Sequence, residues 1–268
     1  MSYTPPNTTT LETKKFSQIR LGIQGYPKTG KTTSALTFPK PIVLDFDNNV
    51  DAANAVAAGK SLDEITLVPF YSPAFVDTLV PKRTFAGAAP NRRDALTKWL
   101  REHAFKLEPD QTLVLDSWTM VQNAFDQQTG YEPAVSRTGA EDKFVFWKRK
   151  IEYAQELCEI LKSINCHVVV TFHETIERDD EGRPTGKLRP AMQGQFADQL
   201  AGNFTDWFRQ QALSRHKDPN NTKSEVIGTD YVWQTSADNI ANCGTKLIGI
   251  RRIVPAKYDV FVHPENYK

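Results

Sequence analysis

A segment that begins and nearly ends with glycine, followed by a lysine and a threonine, could bind phosphate. It runs Gly25-Tyr26-Pro27-Lys28-Thr29-Gly30-Lys31-Thr32 and fits the pattern G-x-x-x-x-G-K-[ST]. In such a loop the backbone N–H groups surround phosphate oxygens, next to the N-terminus of the following helix. Lys31 is then expected to reach the β- and γ-phosphates, and the Thr32 hydroxyl to bind Mg²⁺. We therefore predict a nucleoside triphosphate site that extends from Gly25 to Thr33.

The residues on either side of this loop suit a strand before it and a helix after it. Ile19-Arg20-Leu21-Gly22-Ile23 predicts a strand, and Thr33-Ser34-Ala35-Leu36 can open a helix. The alternative is an ordinary glycine turn in which Lys31 is a solvated side chain. Because the motif and its context agree, phosphate binding is favoured.

Asp116 ends the apolar run Thr112-Leu113-Val114-Leu115, which predicts a buried strand. A carboxylate at the end of such a strand is costly to bury unless it is paired or faces a cation. We therefore expect Asp116 and Thr32 to hold Mg²⁺ together. The alternative is an aspartate that caps the next helix.

Further polar side chains follow two other strand patterns. Asp45 and Asp47 end the run that begins at Pro41, and their i, i+2 spacing predicts that both lie on one face. One of them could polarise an attacking water as a general base, or they could simply form a turn with Asn48. His173 follows the strand pattern 167–172, where a polar group would lie beside the γ-phosphate. An exposed loop histidine is the alternative.

Strand-like and helix-like segments alternate along the chain, which predicts a parallel sheet with crossover helices. The clearest helices are expected at 93–105 and 142–164, and later strands at 206–209 and 231–235. A turn over 178–184 and a returning segment over 185–190 predict a hairpin.

The composition limits the classes of protein to be considered. The chain has 268 residues, and we expect a flexible N-terminal arm over 1–14 and a single domain over 15–268. Its 33 Lys and Arg residues balance 32 Asp and Glu residues, so a nucleic-acid site would have to be a local basic patch. No apolar run approaches the length of a membrane span, and the N-terminus does not resemble a signal peptide.

The three cysteines lack the spacing of a metal site. Cys158 and Cys166 lie in or beside apolar stretches, which favours reduced thiols in the core. This pattern suits a reducing cytoplasm.

The order of these segments resembles the RecA-type ATPase core. Residues 25–32 match its Walker A loop, and Leu113-Val114-Leu115-Asp116-Ser117 resembles its Walker B strand. Asp47 falls at the position of the catalytic carboxylate, and Thr171-Phe172-His173 resembles the strand that ends in the γ-phosphate sensor. The resemblance implies an α/β fold with a mostly parallel central sheet flanked by helices and a β-hairpin after the sensor strand. It implies ATP and Mg²⁺ as ligands and a catalytic set of Lys31, Asp47, Asp116 and His173.

Within that group the chain is similar to the short RecA-like ATP-binding proteins of bacteriophages, some of which are single-strand annealing recombinases. The similar segments are 38–45, 188–194 and 231–235, with Gly244-Thr245-Lys246. The resemblance implies ATP hydrolysis in phage-type DNA recombination, in the host cytoplasm if the chain is phage-encoded. RecA proteins use Glu at the position of Asp47 and usually Gln at that of His173. The shorter acid implies slow hydrolysis or help from a neighbouring subunit.

The resemblance also implies where single-stranded DNA binds. The corresponding loops are 127–143 and 174–195, and their basic candidates are Arg137, Lys143, Arg178, Lys187 and Arg189. Three acidic residues, 179–181, offset the second cluster, and ordinary solvated loops are the alternative. Self-association as a ring or filament is expected, with a basic residue from the neighbour completing the site. A phage single-strand binding protein is a further candidate partner.

Two other functions stay open. The departures at Asp47 and His173 motivate a nucleotide-switched module that binds another protein and does not process DNA. A helicase-like motor is the third candidate.

Overall fold

The computed structural model describes residues 18–71, 92–131, 143–192 and 196–268. The predicted N-terminal arm and Arg137 lie outside these ranges, as does the larger part of the predicted DNA loop at 127–143. Lys143 begins a helix, but its side chain is outside what the structure describes.

The described residues form nine strands and a set of helices joined by short 3₁₀ turns. The strands are β1 (Arg20–Gly25), β2 (Pro41–Asp45), β3 (Thr66–Pro69), β4 (Thr112–Asp116), β5 (His167–Arg178), β6 (Pro184–Pro190), β7 (Asp206–His216), β8 (Val226–Gln234) and β9 (Ile253–Pro255). The helices are α1 (Lys31–Leu36), α2 (Ala52–Ala57), α3 (Arg92–His103), α4 (Trp118–Tyr131), α5 (Lys143–Ser163), α6 (Phe196–Leu200) and α7 (Asp259–Val262).

The strands join in the order β3-β2-β4-β5-β1-β7-β8-β9, and β6 pairs with β5. Strands β3, β2, β4, β5, β1 and β7 run parallel to one another, whereas β8 and β9 add on antiparallel. The predicted α/β fold, with a mostly parallel sheet flanked by helices and a hairpin after the sensor strand, is confirmed. Because the carboxyl ends of parallel strands meet at one edge, the loops after β1, β2 and β4 lie close together.

Alternating side chains place two hydrophobic clusters on the two faces of the sheet. Leu44, Leu115 and Phe172 point to the face covered by α3, α4, α5 and α6. Ile23 and Val169 point to the other face, which α1 and α7 cover. The nearly continuous burial of β2 and β4 follows from this arrangement, since parallel strands are covered on both faces.

Gly22 allows β1 to approach a tryptophan on the neighbouring strand β7. A Cβ atom at this position would lie 2.2 Å from the ring of Trp207, which is itself buried. Any side chain larger than hydrogen therefore requires the indole to move.

Two expectations about the elements need correction. Strand β5 does not end at Phe172 but continues to Arg178, because its second half pairs with β6 beyond the parallel sheet. His173 therefore lies within a strand. The apolar residues of α5 repeat at three-to-four spacing, which predicts one buried stripe that includes Trp147, Ile151 and Ala154. Ala154 is buried, but Trp147 and Ile151 are 42% and 40% exposed.

Cys158, Cys166 and Cys243 are buried free thiols, as predicted for the first two. Burial raises the pKa of the Cys158 thiol to about 12 and that of Cys243 to about 11. These side chains are therefore protonated and unreactive at neutral pH. No helix in the described ranges is both long and apolar enough to cross a membrane.

Candidate functional site

The predicted phosphate loop connects the end of β1 to the start of α1. Gly30 precedes α1 with φ +82°, in the left-handed region that favours glycine. A Cβ atom at Gly30 would also lie 2.7 Å from the ring of Tyr231. Backbone conformation and close packing therefore both require glycine at this position of the motif.

Lys31 is held inside the loop that precedes it. Its Nζ atom donates to the carbonyl oxygens of Gly25 at 2.9 Å and Tyr26 at 2.8 Å, and the residue is buried. Burial lowers the pKa of the Lys31 ammonium, and the charges of Asp116, Asp47 and, in addition, Glu174 oppose this shift. The Lys31 ammonium therefore brings a positive charge to the phosphate loop, where it can attract a polyphosphate.

Thr32 and Asp116, for which we predicted a magnesium site, form a hydrogen bond with each other. The Thr32 hydroxyl donates to Oδ2 of Asp116 at 2.7 Å, and the Thr171 hydroxyl donates to Oδ1. Burial raises the pKa of Asp116, as does the charge of Asp47, whereas the two hydroxyl hydrogen bonds and Lys31 lower it. These hard oxygen atoms fit Mg²⁺.

Protein side chains supply only part of such a coordination shell. Within the described ranges, no group of three or more His, Cys, Asp or Glu side chains is arranged to hold a metal ion. Mg²⁺ usually keeps several waters and binds through one or two protein oxygens and substrate phosphates. Thr32 and Asp116 match that mode of binding.

Asp45 forms the turn that follows β2. Its Oδ1 atom accepts the backbone N–H groups of Asp47 at 3.0 Å and Asn48 at 2.8 Å, which is the turn chemistry considered above. Burial and the nearby charge of Asp116 raise the pKa of Asp45 to about 6. The expectation that Asp45 and Asp47 share one face of a strand is wrong, because β2 ends at Asp45.

The turn presents Asp47 to the nucleotide site. Its Oδ1 atom accepts the Ser117 hydroxyl at 2.9 Å, and its Oδ2 atom lies 3.3 Å from Nε2 of His173. The Asp47 side chain is 5% exposed and that of His173 is 29% exposed. The backbone N–H of His173 donates to the Thr119 hydroxyl at 3.1 Å. Two groups thus orient the Asp47 carboxylate: the Ser117 hydroxyl directly after β4 and the His173 imidazole on β5.

One cavity of about 300 Å³ is lined by most of the predicted residues, although Gly25, Tyr26 and Thr29 of the loop are not part of its lining. Its lining includes the phosphate loop, the Mg²⁺ candidates and the Asp47–His173 pair: Pro27, Lys28, Gly30, Lys31, Thr32, Thr33, Asp47, Asn49, Asn54, Asp116 and His173. Asn49 and Asn54 of this lining were not predicted as site residues. Asn54 accepts the Thr33 hydroxyl at 3.2 Å and donates to the carbonyl of Asn49. No motif marks either asparagine, because their position depends on how α2 packs beside α1.

Arg92 was also missed. The basic run that contains Arg92 and Arg93 suggests a solvated helix start, but Arg92 is 4% exposed at the beginning of α3. Burial lowers the pKa of its guanidinium, and the charge of Asp47 opposes this shift. Arg92 therefore brings a positive charge into the electrostatic environment of Asp47.

The basic DNA candidates in the described part of the second loop lie away from the nucleotide cavity. Arg178 donates to the carbonyl of Gly182 at 2.7 Å and so closes the β5–β6 turn. Lys187 is exposed on β6, and Arg189 lines a separate cleft. The structure thus places these residues on one hairpin, while the acidic residues Asp179 and Glu181 pair with Arg183 at its tip.

Comparison with protein families finds one match. A family model described as AAA domain matches residues 17–237. The matched region runs from before β1 to beyond β8 and contains every residue that lines the cavity. It indicates a nucleotide-binding domain of the P-loop ATPase type. No curated protein matches the chain.

Proposed function

The chain belongs to the AAA domain family, and from this premise we propose that it binds ATP with Mg²⁺ and hydrolyses the terminal phosphate. One observation carries the proposal. Lys31, the Thr32–Asp116 pair and the Asp47–His173 pair line the same cavity, although they come from four separate segments of the chain.

Each side chain has a distinct role in this proposal. Lys31 binds and orients the β- and γ-phosphates, and Thr32 and Asp116 hold the cation. The cation, when bound, supplies neutralisation of the charge that develops on phosphate oxygens. Asp47 accepts a proton from the attacking water, and its contacts with Ser117 and His173 keep the carboxylate in one orientation.

We further propose that single-stranded DNA is the partner of this ATPase, in phage-type recombination or strand annealing. Strand β5 supports this proposal because it is continuous from His173 at the nucleotide cavity to the hairpin that carries Arg178, Lys187 and Arg189. Basic side chains on such a hairpin can contact phosphates. Self-association as a ring or filament belongs to the same proposal, with the resemblance to RecA-type proteins as its support.

ATP turnover in Mg²⁺, measured with and without an unstructured oligodeoxythymidylate, tests the proposal. Lys31→Ala serves as the blank, and Lys98→Ala, which removes an exposed lysine on α3, is the matched control. Turnover that requires Lys31 and increases with DNA would support both parts. Turnover that DNA does not change would favour the nucleotide-switched protein-binding module, and absence of Lys31-dependent turnover would reject the ATPase. Strand separation on a forked duplex would be needed for the helicase-like motor.

A further inference from the structure

A second concave site lies on the face of the sheet opposite α1. This cleft has a volume of about 400 Å³, within the range of small-molecule sites. It lies between β6, the end of β1, Trp207 of β7 and the segment 237–242. None of the residues that line it also lines the nucleotide cavity.

Gln24 places an unpaired donor in the wall of this cleft. The residue is 1% exposed, and its Oε1 atom accepts the Trp207 indole N–H at 3.1 Å. Its Nε2 atom is buried and has no hydrogen-bond partner in the part of the chain that the structure describes. Because buried donors in proteins are almost always bonded, an acceptor from a ligand or water is expected there.

Arg189 adds a second such donor to the same cleft. Its Nε atom is also buried without a hydrogen-bond partner among the described residues. Two unpartnered donors on residues that line one cleft favour a ligand rich in acceptors, and the guanidinium charge favours an anion. Lys187 also lines the cleft and strengthens that preference.

Two carboxylates line the cleft as well, but both have partners. Asp238 forms an ion pair with Arg252 and accepts the backbone N–H groups of Ile240 and Ala241. Glu177 accepts the Thr185 hydroxyl at 2.8 Å. Arg252 balances the charge of Asp238. The other charged residues that line the cleft are two cations, Lys187 and Arg189, and one carboxylate, Glu177.

We infer that this cleft binds a phosphate group carried by a unit about the size of one nucleotide. Arg189 and the Gln24 amide would donate to the phosphate oxygens, and the remaining volume accommodates the attached group. The inference goes beyond the proposed ATPase, because no residue lines both the cleft and the nucleotide cavity, and it rests on the proposed function only in giving Lys187 and Arg189 a specific phosphate site. A free phosphate compound and a phosphodiester in a DNA strand present the same oxygens, so experiment must distinguish them.

Calorimetric titration of the full chain with three probes tests this assignment. The probes are inorganic phosphate, thymidine 5′-monophosphate and an oligodeoxythymidylate, and each is added to Lys31→Ala protein to weaken phosphate binding at the first site. Into that background we would introduce Arg189→Gln or Gln24→Glu. The glutamate keeps an acceptor for Trp207 but replaces the donor by an oxygen. Arg183→Gln is the matched control, since it removes the same charge from the tip of the same hairpin without touching the cleft.

We expect at least one probe to bind, and both cleft variants to weaken its binding about tenfold or more. Arg183→Gln should change it less than about twofold. Binding of the oligonucleotide alone identifies a strand as the source of the phosphate, whereas binding of the small probes identifies a free compound. Failure of all three probes to bind overturns the inference, and so does unchanged affinity in a folded cleft variant. Circular dichroism shows whether each cleft variant is folded, and if one is unfolded, the binding result of the other decides.

The test also distinguishes the two proposals. If the parent protein shows no ATP turnover but a probe still binds in the cleft, the ATPase proposal fails and the cleft proposal stands.

Discussion

His173 contacts Asp47 across the nucleotide cavity, with Nε2 of the imidazole 3.3 Å from Oδ2 of the carboxylate. His173 lies on β5 and Asp47 follows β2, and β4 separates these two strands in the sheet.

We predict that Asp47→Asn lowers ATP turnover by about 100-fold, because the amide cannot accept the proton of the attacking water. ATP affinity should stay close to that of the parent, since Lys31 remains. Single-turnover kinetics and equilibrium titration measure the two quantities separately.

Asp47→Glu provides the comparison for this prediction. It keeps a carboxylate and so should retain more turnover than the asparagine variant. If Asp47→Asn hydrolyses ATP at the parent rate, Asp47 is only a turn residue.

The Thr32–Asp116 hydrogen bond leads to a prediction about the metal ion. Asp116→Asn should raise the Mg²⁺ concentration needed for half-maximal ATP binding by about tenfold or more, because a neutral amide is a poorer partner for the cation and its water shell. Thr32→Ser keeps the hydroxyl and should have a much smaller effect. Asp110→Asn, which changes an exposed aspartate paired with Lys40, is the control. An identical Mg²⁺ titration for Asp116→Asn and the parent would argue against the metal site.

The raised pKa of Asp45 predicts a dependence of stability on pH. Its value of about 6 lies above the ordinary 3.8, so between these pH values the folded state binds more protons than the unfolded state. Stability should therefore fall as the pH rises from about 4 through 6. Asp45→Asn removes this contribution. The free energy of unfolding of the variant minus that of the parent should therefore be about 1 kcal/mol higher at pH 8 than at pH 5.

Urea unfolding in EDTA without nucleotide measures this difference. Asp63→Asn, at an exposed position in a 3₁₀ turn, should follow the parent at both pH values. A constant difference between Asp45→Asn and the parent would show that Asp45 does not titrate in this range.

The contact between Gly22 and Trp207 predicts a large stability effect from one methyl group. Gly22→Ala should lower the free energy of unfolding by about 1–3 kcal/mol, because the added Cβ collides with a buried indole. Gly202→Ala, where a Cβ would meet no atom within 4 Å, is the matched control. Denaturant unfolding compares the two variants, and equal stabilities would mean that the indole moves without cost.

The sequence predicts those features that depend on local patterns. Apolar runs and glycine spacing led to the parallel sheet, the loop at Gly25–Thr32 and the strand that ends at Asp116, and the fold and these positions agree with the structure. Features set by packing between distant segments were not predictable. Asn54 lines the cavity, and Arg92 interacts electrostatically with Asp47, through helices whose placement no local pattern encodes. Pairing with β6 extends β5 beyond His173. The cleft at Gln24 also depends on long-range contacts.

Strand β1 lies in the interior of the sheet, hydrogen-bonded to β5 on one side and to β7 on the other. Its amide protons are therefore shielded by two neighbours, whereas β3 and β9 each pair with one strand among those described. In native-state deuterium exchange the amides of Leu21 to Gln24 should be among the slowest, and those of the two outer strands among the fastest. The phosphate loop is consequently anchored to a segment that opens only when most of the protein unfolds. The groups of the loop that would contact phosphate should therefore keep their positions during the smaller fluctuations that open the outer strands.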